Sequence, residues 1–311
     1  MISLLLALAA IPAFAQPGGG LFPERSSLEY TLRAVPASRE QDPGILENRV
    51  RGTFLIRRAS DTWSLQPSLG SFHLGKAPEL PGAGLAFPRD LREAELGAGF
   101  RRRFGERREW GLSAGAGSAS DRPFDSIHET TVRATAACRL PARGLDSWML
   151  LLSYSNNRSF ANNIPLPGAA YMLRRPEHGL DAVLGFPFLS VGWRPTPDWS
   201  GRLSMFGPNT VSAEWSFLSW KAAQPYAGFD WGQREWFRSR RPDRSQRLFF
   251  DEKRWTAGVR LPLPGKLRLD LAGVYGFGRR LYESDRARDS GMAAAELKPA
   301  WSFQAKAGVD W

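Results

Sequence analysis

Apolar and polar residues alternate one by one along most of this chain, and this period of two constrains the fold more than any other feature. The clearest run is 267–277, where one face carries Leu, Gly, Tyr and Phe and the other carries Arg, Asp, Ala, Val and Gly. Similar runs lie at 28–34, 46–56, 94–101 and 252–261. Such alternation is typical of strands with two different faces. Because no amphipathic helix of ten or more residues is visible, we predict an all-β, antiparallel protein.

Aromatic residues favour a transmembrane barrel over a soluble β protein. The last residues alternate and end on Trp311, which resembles the terminal signal that the barrel-assembly machinery of bacterial outer membranes binds. The chain has 12 Trp, and barrels place aromatic rings at both membrane interfaces. Eight of these Trp lie near predicted strand ends, namely Trp63, Trp110, Trp148, Trp193, Trp199, Trp220, Trp236 and Trp255.

The first residues indicate export. Residues 4–15 are all apolar and end on Ala13-Phe14-Ala15, a small-x-small cleavage pattern, so we predict a signal peptide over 1–15, a linker over 16–25 and the barrel over 26–311. Removing 1–15 leaves 296 residues (311 − 15). At about 25 residues for a strand with its connection, this length predicts an up-and-down barrel of about 12 strands, with 10 or 14 also possible. An exported barrel belongs in an outer membrane.

The middle of the chain carries several distinctive segments. They are Asn162-Asn163-Ile164-Pro165-Leu166-Pro167-Gly168, Leu184-Gly185-Phe186-Pro187-Phe188, Trp193-Arg194-Pro195-Thr196-Pro197, Tyr226-Ala227-Gly228-Phe229-Asp230-Trp231 and Arg247-Leu248-Phe249-Phe250-Asp251-Glu252-Lys253-Arg254. With these segments the chain resembles a family of uncharacterised outer-membrane β-barrel proteins of Gram-negative bacteria, classed as a domain of unknown function. The resemblance covers roughly residues 145–285. It implies a barrel and an outer-membrane location, but no reaction, ligand or functional residue.

Charges of both signs occupy the polar faces of the predicted strands. An Arg or Lys facing lipid at the midplane costs about 2–4 kcal/mol, so we expect these residues to face the lumen. The set contains Glu29, Arg33, Glu47, Arg49, Arg51, Glu95, Arg101, Arg133, Glu214, Asp230, Arg234, Glu252, Arg254, Arg260, Arg268 and Asp270. Ten of them are predicted to line a pore: Arg49, Arg51, Glu95, Arg101, Asp230, Arg234, Arg254, Arg260, Arg268 and Asp270.

The basic excess favours anions as solutes. Lys and Arg total 42 against 31 Asp and Glu, and fixed arginines raise the local anion concentration. The densest basic cluster is a predicted anion-binding loop, whose guanidinium groups suit phosphates such as those of lipopolysaccharide. Its members are Arg238, Arg240, Arg241, Arg244 and Arg247. Expected partners are outer-membrane lipids, lipopolysaccharide and small solutes, but not nucleic acid, because the chain is exported.

Four functional readings follow. A passive pore for small, possibly anionic, solutes needs no catalytic residue. A closed structural or lipopolysaccharide-contacting barrel would instead fill its lumen with salt bridges. An outer-membrane lipid hydrolase would use Ser126 as nucleophile and His128 as base, beside Glu129. A soluble exported β protein would not insert into a membrane at all.

Composition argues against a metal or cofactor site. Cys138 is the single cysteine, so the chain has neither an internal disulfide nor a cysteine-based zinc site. Its three histidines are far apart in sequence. We therefore predict no catalytic residues, no metal and no cofactor.

Overall fold

Seventeen antiparallel strand segments form one sheet in the computed structural model of the chain. The structure describes residues 23–37, 43–80, 86–105, 108–158, 161–207, 210–241, 243–285 and 294–311. The first nine strands are β1 (Ser27–Val35), β2 (Ile45–Arg58), β3 (Asp61–Leu74), β4 (Asp90–Arg103), β5 (Glu109–Ser120), β6 (Thr130–Pro141), β7 (Ser147–Ser155), β8 (Leu166–Arg175) and β9 (Leu180–Phe186). The others are β10 (Phe188–Thr196), β11 (Trp199–Phe206), β12 (Thr210–Phe217), β13 (Gln224–Trp236), β14 (Arg247–Pro262), β15 (Leu267–Ser284), β16 (Ala295–Leu297) and β17 (Ala300–Asp310).

Helical structure in the described residues is confined to three short 3₁₀ turns. They are Ile127–Glu129, Pro176–His178 and Pro264–Lys266. Over the same part of the chain, no helix is long and apolar enough to cross a membrane.

The sheet closes on itself. Each strand pairs with its neighbours in sequence, and β17 pairs with both β15 and β1, so the ring has no free edge. Both β16 and β17 pair with β15, at 279–281 and 267–276, and together they form one interrupted strand. The seventeen segments therefore fill sixteen positions of an up-and-down barrel.

Sixteen positions correct the predicted count of about 12. The prediction assumed long connections throughout, but seven connections at one end contain only two to six residues. At the other end β9 and β10 are separated by Pro187 alone, and β11 and β12 by 207–209. Short connections leave more of the chain for strands.

The two ends of the barrel differ. At the long-loop end, six connections have nine to fifteen residues, including 75–89 and 237–246. At the short-turn end lie the two- to six-residue turns and both ends of the described barrel, where the Trp311 amide donates to the Ser26 carbonyl over 3.0 Å.

The wall is also uneven in height. Strands β14 and β15 have 16 and 18 residues, whereas β9, β11 and β12 have 7, 8 and 8. The low side of the wall is therefore β9–β12. The ends of β13 and β14 continue beyond it at the long-loop end.

Alternation sets the two faces of the wall, as the sequence predicts. On β2, the apolar Leu46, Val50 and Phe54 are exposed on the outer surface, whereas Glu47 and Arg49 between them are buried inside. Cross-strand partners share a face, so the same division continues around the ring. The barrel has an apolar exterior and a charged interior.

Aromatic rings form a belt on the exterior near the short-turn end. Neighbouring rings lie 4.5–6.2 Å apart. The contacts are Trp63–Phe100, Phe100–Trp110, Trp148–Tyr171, Trp193–Trp215, Trp199–Trp215, Trp199–Phe217 and Phe54–Trp311. Trp236 is an exception to the predicted girdle, because it is fully buried inside the barrel at the long-loop end. Alternation assigns a face but does not say how far a strand extends above its neighbours.

Candidate functional site: the barrel lumen

The lumen holds, in its half nearer the long-loop end, a network of five charged residues from five strands, which we call the central charge cluster: Arg33, Glu47, Arg234, Glu252 and Arg279. Arg33 is 1% exposed and donates to Glu47 Oε1 over 3.2 Å and to both oxygens of Glu252 over 2.6 and 2.7 Å. Arg279 Nε lies 3.3 Å from Glu252 Oε1. Arg234 on β13 pairs with Glu47 on β2, so the cluster joins two separated parts of the wall.

Two further ion pairs extend this network along β2–β6. Arg49 NH2 donates to Glu93 Oε2 over 2.9 Å, and Arg133 Nε donates to Glu95 Oε1 over 2.5 Å. Neighbouring strands bring opposite charges together because the barrel register sets them side by side. The matched pairs include Glu29↔Arg51, Arg33↔Glu47 and Asp230↔Arg254.

Several arginine donors on this face have no hydrogen-bond acceptor among the described residues. Within the described residues, Arg51 and Arg254 form neither an ion pair nor a side-chain hydrogen bond, although register places Arg51 beside Glu29 and Arg254 beside Asp230. Arg49 Nε and NH1 and Arg51 NH2 are buried without a hydrogen-bond partner. Arg101, near the short-turn end, likewise has Nε and NH1 without a hydrogen-bond partner, although NH1 lies 4.0 Å from Glu24 Oε1. The lumen therefore contains buried N–H groups that the described residues do not satisfy.

Charges nearer the short-turn end are more open to solvent. Arg260 contacts Glu214 over 3.0 Å and Asp270 over 3.4 Å, while Tyr226 donates to Asp270 over 2.6 Å. Arg268, whose side chain is 41% exposed, contacts Glu29 over 3.3 Å and Asp310 over 3.1 Å. This end of the lumen forms a solvated vestibule.

The long-loop end is closed by contacts across the lumen. Phe72 on β3 packs against Trp236 on β13 and Phe250 on β14, with ring centroids 5.2 Å apart in both pairs. These rings belong to a buried apolar layer that also includes Leu80 and Phe87 from the connection 75–89. Parts of the wall that lie far apart around the ring are in contact here, so the lumen is narrow at this level.

The far ends of β13 and β14, with their connection, form what we call the mouth hairpin, residues 232–251. The Phe237 amide donates to the Ala119 carbonyl of β5 over 2.8 Å, although β5 and β13 lie half a turn apart around the ring. Ser239 donates to Asp121 from both its amide and its hydroxyl, over 2.6 and 2.8 Å. The mouth hairpin thus crosses the barrel and docks on the opposite wall.

The predicted anion-binding loop lies at the tip of this hairpin, where carboxylates already accompany most of its arginines. The ion pairs are Arg238–Glu283 at 2.8 Å, Arg240–Asp125 at 3.6 Å, Arg241–Glu129 at 3.9 Å and Arg247–Glu235 at 3.1 Å. Arg241 also stacks on the Phe237 ring at 4.4 Å. Arg240 and Arg244 remain exposed, so these two are best placed for an external anion.

The candidate nucleophile Ser126 has a structural role. Its hydroxyl donates to Glu129 Oε2 over 2.7 Å and accepts from the backbone N–H of His128 over 3.1 Å, which caps the 3₁₀ turn Ile127–Glu129. The hydroxyl bonds to the backbone of His128, not to the imidazole that would serve as base. This arrangement does not favour the lipid hydrolase.

All ten predicted pore residues lie at inward-facing strand positions, but sequence analysis missed two members of the charge network. Glu93 continues the alternating face of β4 towards Leu91 and could have been included on that signal. Arg279 could not, because Gly278 adopts φ +57° and the register between β14 and β15 shifts beside it. After the shift, strict alternation no longer assigns the correct face.

Comparisons with solved structures return outer-membrane β-barrels at low similarity. The β domain of the Bordetella autotransporter BrkA shares 12% identity, covers 92% of this chain and 98% of its own, and has a TM-score of 0.32. A porin mutant from Rh. blastica shares 7% over 92% and 99%, with a TM-score of 0.37. An outer membrane channel from Pseudomonas putida shares 11% over 93% and 97%, with a TM-score of 0.34.

At these TM-scores the neighbours carry no argument about function, and the fold rests on the strand pairing. No protein-family model and no curated protein matches the sequence. The resemblance to a family of unknown function is therefore not confirmed. The class that the structure itself defines is a closed, sixteen-position antiparallel β-barrel with a charged lumen.

Proposed function

We propose that this chain is an outer-membrane barrel that acts as a passive pore for small solutes and prefers anions. The observation that supports it is the reversal of polarity across the wall, which is apolar outside and charged inside. Soluble barrels bury apolar residues, whereas barrels in lipid expose them and keep charges in the lumen. The aromatic belt at the short-turn end supports a membrane interface there.

Orientation follows from the connections. Outer-membrane barrels place short turns in the periplasm and longer loops outside, which assigns the vestibule to the periplasmic side and the mouth hairpin to the exterior. Exposed Arg240 and Arg244 would then face the phosphates of lipopolysaccharide. Trp311 is exposed beside the pairing of β1 with β17 that closes the barrel, where the assembly machinery would reach it.

Planar-bilayer conductance of the refolded protein tests the pore, with heat-modifiable gel mobility as the control for folding. We expect discrete current steps and a reversal potential that indicates anion preference. Arg51→Ala and Arg254→Ala should each weaken that preference, because each removes a lumen charge without breaking an ion pair. Arg92→Ala, an exposed arginine on the exterior, is the matched control and should leave selectivity unchanged.

A second candidate is a closed structural barrel, and the contacts across the mouth favour it. In this case the docked mouth hairpin and the aromatic layer of Phe72, Trp236 and Phe250 would seal the lumen permanently. The folded protein would then never conduct. A folded, inserted barrel that is silent in every bilayer recording would therefore replace the pore with this candidate.

A further inference from the structure

Two arginines on one strand present to the lumen donors that no acceptor among the described residues satisfies. Arg49 and Arg51 occupy alternate positions of β2, so both side chains face inward about 7 Å apart along the strand. Arg49 is 8% exposed and keeps Nε and NH1 without acceptors, and Arg51 keeps NH2 without one. Buried donors in native proteins are nearly always satisfied by protein, water or a ligand.

Positive charge from the opposite wall adds to this face. Arg234 reaches across from β13 to Glu47, the neighbour of Arg49 on the inner face of β2. Arg49 and Arg254 lie near enough to Arg234, and Arg234 to Arg51, for their charges to interact, while Glu29, Glu47 and Glu93 contribute charges of opposite sign. Four guanidinium groups from two walls therefore influence one another in the same part of the lumen.

The carboxylates nearby leave Arg51 and Arg254 without an ion pair among the described residues. Glu47 already accepts from Arg33 through Oε1 and from Arg234 through Oε2, and Glu93 accepts from Arg49 through Oε2. Glu95 accepts from Arg133 through Oε1, and its Oε2 has no hydrogen-bond partner among the described residues. Since the interior has a lower effective dielectric than water, a guanidinium group without an ion pair there strongly attracts an anion.

We propose that Arg49 and Arg51 bind a small tetrahedral oxyanion of the phosphate class, with Arg234 and Arg254 supplying additional positive field. A guanidinium group offers forked N–H donors that match the oxygens of phosphate, whereas chloride can use only the charge. The anion would enter through the solvated vestibule. The inference deepens the proposed function, because it places a selective binding site within the anion-preferring pore.

Isothermal titration of inorganic phosphate into the full refolded barrel tests the site without requiring conductance. We expect saturable binding, comparable binding of sulfate, which has the same tetrahedral oxygens, and little competition from chloride. Arg51→Ala should weaken phosphate binding roughly tenfold or more, the effect of losing charge-assisted hydrogen bonds. Arg51 has no ion pair, so this variant removes donors without leaving a carboxylate unpaired.

Two further variants distinguish recognition of the anion's shape by the guanidinium group from attraction by positive charge alone. Arg51→Lys keeps the charge but removes the fork, and should lose most of the preference for phosphate over chloride. Arg92→Ala, on the exterior, is the matched charge control and should bind phosphate as the parent does. Equal phosphate affinity in the parent and in Arg51→Ala, or no saturable binding to the folded parent, would overturn the site.

The pore and the phosphate site can be disproved independently of each other. Anion-selective conductance without saturable phosphate binding leaves the pore and removes this site. Phosphate binding to a barrel that never conducts keeps the site and removes the pore. Phosphate that binds and also reduces the chloride current in a concentration-dependent manner, in the parent but not in Arg51→Ala, supports both.

Discussion

A single guanidinium group, that of Arg33, holds carboxylates from two strands that do not touch each other. It bonds Glu47 on β2 and Glu252 on β14, and its Nε donates to Ser302 on β17 over 3.1 Å. Each carboxylate also has a second arginine, so the five charges of the central charge cluster depend on one another. Removing one member leaves its partners buried with fewer counter-charges.

We expect Arg33→Met to lower the free energy of unfolding by about 3–5 kcal/mol, because an unbalanced buried charge is costly. Arg268→Ala breaks two ion pairs of a half-exposed side chain and should cost at most about 1 kcal/mol. Urea unfolding in detergent micelles, followed by tryptophan fluorescence, measures both. An equal loss of unfolding free energy in the two variants would mean that the central charge cluster is as well solvated as the vestibule.

Asp146, in the turn between β6 and β7, is the residue outside the strands from which we expect the clearest effect of pH on the stability of the fold. A side-chain hydrogen bond from Arg175, the backbone N–H of Arg174 and the Tyr171 hydroxyl hold the pKa of Asp146 well below its usual value. A pKa lower in the folded state than in the unfolded state stabilises the fold above the unfolded pKa, near 3.9, and this contribution disappears as pH falls through the folded pKa.

Asp146→Asn should therefore be less stable than the parent at pH 7, with a difference that narrows as the pH falls below about 4. Unfolding midpoints measured from pH 7 to pH 2 show this narrowing. Asp243→Asn tests the generality of the effect, because hydrogen bonds from the backbone and side chain of Ser245 lower the pKa of Asp243 in the same way. A pH-independent difference for Asp146→Asn would contradict the assignment.

Single residues were predictable from sequence as long as the strand stayed regular. Alternation alone places Arg49, Arg51 and Arg254 on the inner face. It fails at Arg279, where a local register shift reverses the faces. Trp236 follows the alternation and faces inward like Arg234, so only its predicted place in the aromatic girdle is wrong. The arginines and carboxylates that form ion pairs are distant from each other in sequence, so no local pattern predicts the pairs.

Among the elements, the mouth hairpin is the one that lies across the proposed solute path. Its anchor is a parallel bridge between Ser120 on β5 and Phe237, beside the Phe237–Ala119 hydrogen bond. Bridge partners have Cα atoms about 5 Å apart, which lies within the range for a disulfide. A cross-link here would hold the hairpin in its docked position.

We expect Ser120→Cys with Phe237→Cys, in a Cys138→Ser background, to conduct only after reduction, since the pore requires the hairpin to leave the mouth. Conductance of the same folded sample before and after a reductant measures this. The Phe237→Cys single variant controls for the lost ring and should not respond to the reductant. Identical currents in the oxidised and reduced double variant would show that solute passes with the hairpin docked.

Strand existence was easier to predict than strand number. The long runs in β2, β4, β14 and β15 carry strong alternation, because one face meets charges and the other is apolar. The low side of the wall does not, since β9–β12 place Gly and Ser between apolar residues and have short turns at both ends. An average length per strand and connection, applied to the whole chain, therefore predicted about 12 strands, whereas the barrel has sixteen positions.

At the scale of the molecule, the outward face should respond to charge according to depth. Ala136 and Leu140 both lie on the outer face of β6, with Leu140 beside Trp148 in the aromatic belt and Ala136 further from the short-turn end. Ala136→Arg should cost about 2–4 kcal/mol in lipid, and Leu140→Arg only about 0–1 kcal/mol. Reversible folding into vesicles measures both. Similar costs for the two variants would contradict the assigned membrane position.

The uneven wall has a consequence for the lipids around it. The outer apolar face of β9 runs from Leu180 to Phe186, about 15 Å measured along the membrane normal at a usual strand tilt, whereas that of β15 runs from Leu267 to Phe277, about 25 Å. A bilayer of even thickness cannot match both heights. In the proposed membrane location, lipid tails beside β9–β12 would have to compress or tilt, so this side of the barrel would deform its surroundings and attract any neighbour that relieves the mismatch.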